Sequence, residues 1–201
     1  MESFFSLRAE KQEHIINAAL EAFGRNGYKK ASIADIAGQA GIAKGMVMYY
    51  FGSKKNLYFY LVELSGRIIN EEMERGLDPS ITDFFDKMRM MSDIKVSVIK
   101  RYPALMSFMT CMYYEADKEV VDELKTILAK GLETRQYMLL ETTDTSRLRD
   151  DVDPELLDKF LVWAGEGFGN ELMKPDGMAR LDEHMGDFYR ILDLMKKYFC
   201  K

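Results

Sequence analysis

The 201-residue sequence predicts an all-α protein. Apolar residues recur at three- and four-residue spacing along the whole chain. No stretch alternates as a strand does. Glycines and prolines punctuate the helical segments at their ends. Hydrophobic residues make up 47% and charged residues 30%, the balance of a globular chain with a sizeable core. Two cysteines, Cys111 and Cys200, exclude a disulfide scaffold. The most apolar run, Tyr102 to Tyr114, is 13 residues long and contains Pro103, whereas a transmembrane helix needs about 20 residues. Met1 to Leu7 lacks the apolar core of a secretory signal. These features predict a cytoplasmic protein with reduced thiols and no membrane partner.

About nine helices are expected. Ile15, Ile16, Ala19, Ala22 and Phe23 give the first, from about Arg8 to Asn26, a single apolar face, and Gly27 is placed to stop it. Ser32-x-x-Asp35 reads as a capping box opening the second, with Ile33, Ile36, Ala37 and Ala40 turned inward. Gly41 ends it, and the third runs from Lys44 to Phe51. Two short helices joined through a glycine turn form a helix-turn-helix pattern. The fourth starts at Ser53 and continues to about Arg75, where Asp78-Pro79-Ser80 breaks it. The remaining helices occupy about 81–101, 103–116, 118–141, 154–174 and 178–198. Pro103, Asp117, the polar run Thr142 to Asp153 and Lys174-Pro175-Asp176-Gly177 separate them.

Charge is uneven along this chain. Residues 1–57 carry eight basic against five acidic side chains, a surplus of +3, and the remainder carries −8 of the net −5. A polyanion would therefore meet the first quarter of the chain. In a helix-turn-helix the second helix enters the DNA major groove. Val47 and Phe51 can pack inward together, which leaves Lys44, Met48 and Tyr49 on the outer side, with Gly45 permitting close backbone approach. Lysine can donate to guanine or phosphate, and Met and Tyr offer apolar contact to a thymine methyl. Lys54 and Lys55 lie in the first turn of the fourth helix, where the macrodipole disfavours positive charge. A nearby phosphate would resolve that conflict; simple solvation of both ammonium groups is the other reading.

Residues 8–57 resemble the DNA-binding head of the tetracycline-repressor (TetR) family of bacterial transcription regulators. The run Ile15-Ile16-x-Ala18-Ala19-x-x-x-Phe23-x-x-x-Gly27-Tyr28 is similar to the family's first helix. Ser32-Ile33-Ala34-Asp35-Ile36-Ala37 followed by Ala40-Gly41-Ile42-Ala43-Lys44-Gly45 is similar to its second helix and turn. Tyr49-Tyr50-Phe51-x-Ser53-Lys54-x-x-Leu57 is similar to its recognition helix and exit. The resemblance implies base contacts from Lys44, Gly45 and Tyr49, phosphate contacts from Ser32, Tyr50 and Lys54, and an interface that includes Met46 and Met48. Three positions depart from the family: Ala43 stands at a usual Ser or Thr cap, Met46 at a usual small polar residue, and Met48 at a usual tyrosine. The DNA sequence read is accordingly expected to be unusual.

The resemblance divides the chain into a helix-turn-helix domain, 1–53, and a helical effector-binding and dimerisation domain, 54–201. Twelve of the fifteen methionines follow residue 57, and methionine adapts to irregular apolar sites. A pocket for a small, mostly apolar effector is expected from Phe84, Met88, Met91, Phe108, Met109, Met112, Tyr113, Tyr137 and Phe168, although for any one of them plain core is the simpler reading. Cys111, Glu115, Tyr137 and Glu166 are candidates to orient such a ligand. Gly165, Gly167 and Gly169 inside one helix cost roughly 1 kcal/mol each and imply close approach of either a partner helix or a ligand. With the family's habit of pairing its last two helices, a homodimer interface is expected at Trp163, Gly167, Phe188, Ile191, Leu192 and Met195. His14 and His184 lie far apart in the sequence without neighbouring ligands, so no catalytic or metal site and no cofactor is expected. The expected function is a dimeric repressor that binds a palindromic operator in double-stranded DNA and is released by its effector. The alternatives are a helical carrier or enzyme with a vestigial head, and a DNA-binding protein without an effector.

Overall fold

The computed structural model describes residues 2–172, 174 and 176–201. The expected break at Pro175 and the end of the 154–174 helix at residue 173 lie outside the described residues. The described chain is helical throughout: α1 (Glu2–Phe5), α2 (Ala9–Lys30), α3 (Ile33–Gln39), α4 (Lys44–Phe51), α5 (Lys54–Gly76), α6 (Phe84–Arg101), α7 (Pro103–Tyr113), α8 (Val121–Gln136), α9 (Pro154–Leu172) and α10 (Leu181–Phe199). A π-helical turn, Tyr137–Glu141, continues from α8.

Nine of these helices follow the expected segments. Ser32 caps α3 by accepting from the N–H groups of Ala34 and Asp35 at 3.2 and 3.4 Å. Gly27, at φ 69°, breaks α2 as its position implied, and the last residues of that helix form a separate turn. The tenth, α1, has no counterpart in the expectations. Four residues are too few to show a period or to hold a helix by themselves. Tertiary packing holds it: Phe4 is fully buried, its ring 4.9 Å from Phe51 and 6.0 Å from Tyr50.

The chain divides into two compact units, residues 1–71 with 98–127, and residues 72–97 with 128–201. This differs from a simple cut at 53/54, because α7 belongs with the head. The first unit has an aromatic centre. Tyr58 of α5 lies 5.1 Å from Phe23 of α2 and 5.4 Å from Phe108 of α7, edge to face, and Ile15, Ile36, Val47 and Leu61 are buried in the same unit. Gly24 lets α2 and α7 touch backbone to side chain; a Cβ there would sit 2.7 Å from Ser107 Oγ and 2.9 Å from the Phe108 nitrogen.

The second unit is filled by Met73, Phe84, Phe85, Met88, Met91, Leu161, Met185 and Leu192, so much of its methionine serves as core. Ion pairs tie α6 to α10: Arg89 to Asp193 at 2.6 Å, and Lys196 to Asp86 at 2.6 Å. Cys200, whose position suggests a frayed end, is instead held. The Arg149 N–H donates to the Phe199 carbonyl at 2.8 Å, and the Lys201 N–H donates to the Arg147 carbonyl at 3.0 Å.

Candidate functional site

The recognition helix is positioned by its buried side. Val47, Tyr50 and Phe51 are buried, while Lys44, Gly45, Met46, Met48 and Tyr49 are exposed. Tyr49 is 68% exposed, far more than a core tyrosine. This is the division the spacing predicted for Val47 and Phe51. Tyr50 is 3% exposed, its ring packed against Phe4 of α1. Among the described residues nothing crowds a Cβ at Gly45. Ala43 gives no side-chain cap, so the first N–H groups of α4 have no side-chain acceptor. Such uncapped N–H groups suit an incoming phosphate oxygen. Ser32 is half-buried and its hydroxyl caps α3.

The lysines that seemed misplaced in the first turn of α5 have partners within the chain. Lys54 Nζ donates to the carbonyls of Lys29 and Ala31, at 3.2 and 3.1 Å, and lies 4.5 Å above the ring of Tyr28. It thus places positive charge on the carbonyl end of α2, where the helix dipole welcomes it. Lys55 pairs with Glu123 at 3.0 Å. Glu115 does the complementary work for donors. Its carboxylate accepts from the N–H of Tyr28 at 2.7 Å, of Ala116 at 3.0 Å and of Asp117 at 2.9 Å. It therefore holds the end of α2 to the end of α7 and is no free ligand-orienting group. Burial, with the negative charge of Glu115 adding to it, pushes the half-buried Cys111 thiol above its ordinary value, opposite to the shift of a reactive cysteine.

The expected effector residues are dispersed. Phe84, Met88 and Met91 share one buried face of α6 in the second unit. Phe108 and Met112 are buried in the first unit, where Phe108 completes the aromatic centre, so its role is core packing. Met109 is half-buried; Tyr113 and Tyr137 are exposed. Phe168 contacts His184 and Phe188 edge-on or tilted, each at 6.2 Å. Glu166 is exposed. Among the described residues no three His, Cys, Asp or Glu side chains cluster as metal ligands, and no helix is long and apolar enough to cross a membrane.

In the second unit, α9 and α10 present apolar rows to solvent: Leu156, Phe160 and Trp163 on α9, and Ile191, Leu194 and Tyr198 on α10, each more than half exposed. The rows meet at an open, mainly apolar cleft of about 690 Å³ lined by Leu156, Phe160, Trp163 and Tyr198, among others. Trp163 and Ile191 were expected on such a face, and Gly167 continues the α9 row without a near neighbour. Leu192 and Met195 were also expected there, but they are buried in the unit's own core at 1% and 8% exposure. Helix α10 carries two apolar stripes, and these residues belong to the inward one. Phe188 is half-buried between the stripes.

The signals that sequence reading missed are short or non-local. The partners of Lys54 and Glu115 lie far away in the chain, as does the Arg135–Asp158 ion pair joining α8 to α9. Only the odd placement of Lys54 at a helix start hinted at any of them.

The geometry matches known proteins. Residues 15–61 match the family model of bacterial regulatory proteins, tetR family. The fatty acid metabolism regulator protein of Bacillus subtilis is 26% identical over 147 residues, 73% of this chain and 75% of that protein. A TetR family transcriptional regulator from Chloroflexus aurantiacus has a similar structure, with a TM-score of 0.73 at 23% identity, covering 100% of this chain and 98% of that one. The transcriptional regulator FadR from Bacillus subtilis, solved in complex with stearoyl-CoA, is similar in fold with a TM-score of 0.65 at 20% identity, covering 87% and 95%. Residues 15–61, with their exposed recognition face, thus form a helix-turn-helix head that matches the tetR family model, and the chain as a whole shares the fold of TetR family transcriptional regulators.

Proposed function

We propose that the protein is an effector-released repressor that binds a two-fold symmetric operator as a homodimer in the cytoplasm. The observation that carries the reading is the outer face of α4. Lys44, Gly45, Met46, Met48 and Tyr49 are exposed together on a helix whose other side is anchored in an aromatic core. Lys44 and Tyr49 read base edges, the two methionines supply apolar contact, and phosphate binds near Ser32 and the uncapped start of α4. Lys54, with two carbonyls already on its ammonium, has one N–H left to offer a phosphate.

The exposed rows of α9 and α10 support the dimer. An open apolar patch of this kind marks an interaction surface, and a second copy offers the same patch by symmetry. Two heads would then enter successive major grooves about 34 Å apart. Effector binding in the body shifts α5, whose residues run from head into body, and changes that separation. A coupling of about 1–3 kcal/mol is enough to change operator affinity 5- to 150-fold. The similarity to regulators of fatty acid metabolism, one solved with stearoyl-CoA, supports an effector with a long apolar part.

The test is selection of genomic fragments on purified protein at about 150 mM salt, where non-specific binding is weak, followed by sequencing. The expected result is one shared, two-fold symmetric site. Sequence-independent, salt-sensitive binding alone would overturn the reading.

A further inference from the structure

The packing that holds α1 in place also acts on the recognition helix. Helix α4 has eight residues, about two turns, too few to fix its own position. Its first turn has no side-chain cap, since Ala43 precedes it. Its fastenings gather at the other end. Asn56 Nδ2 donates to the Phe51 carbonyl at 3.0 Å, and the Gly52 N–H donates to the Met48 carbonyl at 2.7 Å. The Phe51 ring is buried between two others: Phe4 of α1, with centroids 4.9 Å apart, and Tyr60 of α5, at 5.5 Å. Phe4 and Tyr60 meet edge to face at 5.7 Å, so each ring neighbours the other two. Phe4 also reaches the ring of Tyr50 at 6.0 Å.

Helix α1 is itself tied down. Gln12 of α2 donates from Nε2 to the Leu7 carbonyl at 2.8 Å and to the Phe5 carbonyl at 3.3 Å. One short segment thus connects α2, through Gln12, to α4 and α5, through Phe4, all within the first unit. It lies ahead of residues 15–61, the part of the chain that matches the family model, and is an addition to that head. Its position gives it leverage. A helix of eight residues is about 12 Å long, so turning it by about 10° about its fastened end carries the free end through about 2 Å. A hydrogen bond to a base edge holds within a window of only about 0.5 Å. Lys44 and Gly45 stand exposed at the free end, where a small change at Phe51 becomes a large one.

We propose that Phe4 is a positioning residue for DNA recognition: its ring, wedged between Phe51 and Tyr60, fixes the angle at which α4 stands and so the placement of Lys44 and Tyr49 on a base sequence. It acts through Phe51, without touching DNA. Removing the ring leaves a space into which α4 relaxes, yet every charge that meets phosphate stays. Sequence preference is therefore lost while general attraction to DNA remains. This rests on the DNA-binding reading above and adds a determinant from outside the helix-turn-helix.

The experiment compares full-length Phe4→Ala with the parent well below the variant's Tm, where circular dichroism shows it folded. The probes are the genomic fragment selected by the parent and a random-sequence duplex of equal length, each titrated over a salt series. Affinity for the fragment is expected to fall at least about tenfold, the contribution of about one base contact. Affinity for the random duplex should stay within about twofold, with an unchanged slope of log K against log salt, because no phosphate-binding charge is lost. Hydrogen exchange without DNA is the independent readout: the amides of Phe51 and Gly52 should lose more protection than those of Ala19 and Phe23 in α2. Phe4→Leu keeps an apolar filling and should show the same pattern at smaller size; it decides the matter if Phe4→Ala does not fold. Unchanged affinity for the fragment, equal weakening toward both DNAs, or exchange that rises in α4 no more than in α2 would each overturn the proposal. A selected site that the variant binds as the parent does removes the positioning role alone. If the parent selects no shared site, the repressor reading falls, and the exchange comparison judges by itself whether Phe4 holds α4.

Discussion

The two units of the molecule use charge in opposite ways. In the first, charged groups finish helices: Lys54 covers the carbonyl end of α2, and Glu115 accepts three backbone N–H groups where α2 and α7 end. Its centre is aromatic and uncharged. In the second unit, charge reaches the interior. Lys87 is buried with its ammonium on Thr142 Oγ1 and the Thr142 carbonyl, at 2.8 and 2.9 Å. Arg135 and Asp158 pair inside, at 16% and 7% side-chain exposure. Charges at helix ends stabilise without being taken far from water, whereas charges inside a unit are costly to bury.

The sharpest way to break the comparison is to orphan an interior charge. Arg135→Met leaves Asp158 buried without its partner and should cost about 3–5 kcal/mol, nearer 3 because the guanidinium keeps some exposure. The double variant Arg135→Met, Asp158→Leu should recover most of that loss in thermal or urea unfolding. A double variant as unstable as the single would mean that the pair supplies stability, and the contrast between the units would fail.

The matching test in the first unit is steric. Gly24→Val forces a side chain into Ser107 and the Phe108 backbone, and overpacking of this kind costs about 1–3 kcal/mol. DNA affinity should fall with stability, because the α2–α7 crossing sits in the same unit as α4. Full DNA affinity in a destabilised Gly24→Val would separate that crossing from the recognition helix.

Most of the head was legible in sequence, and the reasons are local. Ser32 caps within three residues, Gly27 breaks its own helix, and Val47 and Phe51 lie one turn apart. What escaped was non-local. Helix α1 exists because Phe4 reaches Phe51 and Tyr60, some fifty residues on, which no four-residue pattern can reveal. Lys54 was recognisably out of place, but its remedy lay at Lys29 and Ala31. In α10, Leu192 and Met195 form one apolar stripe and Ile191, Leu194 and Tyr198 another, offset by one residue. Periodicity reports both stripes and does not say which one faces the core.

A smaller effect distinguishes charge at a helix junction from charge in a core. Glu115→Ala removes the acceptor of three N–H groups and should cost about 2 kcal/mol, the scale of hydrogen bonds to a charged partner. Hydrogen exchange gives a readout that global destabilisation does not: the Tyr28 amide should lose protection beyond the change in global stability. Protection that follows global stability alone would show that the carboxylate is not what holds this amide.

The smallest expected effect concerns Asp83, the buried residue of the second unit in which the two uses of charge meet. It caps α6 by accepting from the N–H groups of Phe85 and Asp86, each at 3.1 Å, and it also pairs with Lys196 at 3.0 Å and Arg147 at 3.2 Å. Burial alone would raise its carboxyl, but the Asp86 N–H, then Lys196 and Arg147, outweigh it and hold the group below the ordinary carboxylate value. A carboxyl lowered in the folded state binds its proton less readily than in the unfolded chain. Its stabilisation is therefore complete above the unfolded value of about 3.9 and is lost as pH falls through the lower folded value. Asp83→Asn retains a capping side chain and removes only the charge. Its Tm should lie slightly below that of the parent at neutral pH, and the gap should close on acidification below about pH 4. A gap that stays constant with pH would mean that the ion pairs of Asp83 contribute nothing, leaving the cap as its whole role, like the charged groups that end helices in the head.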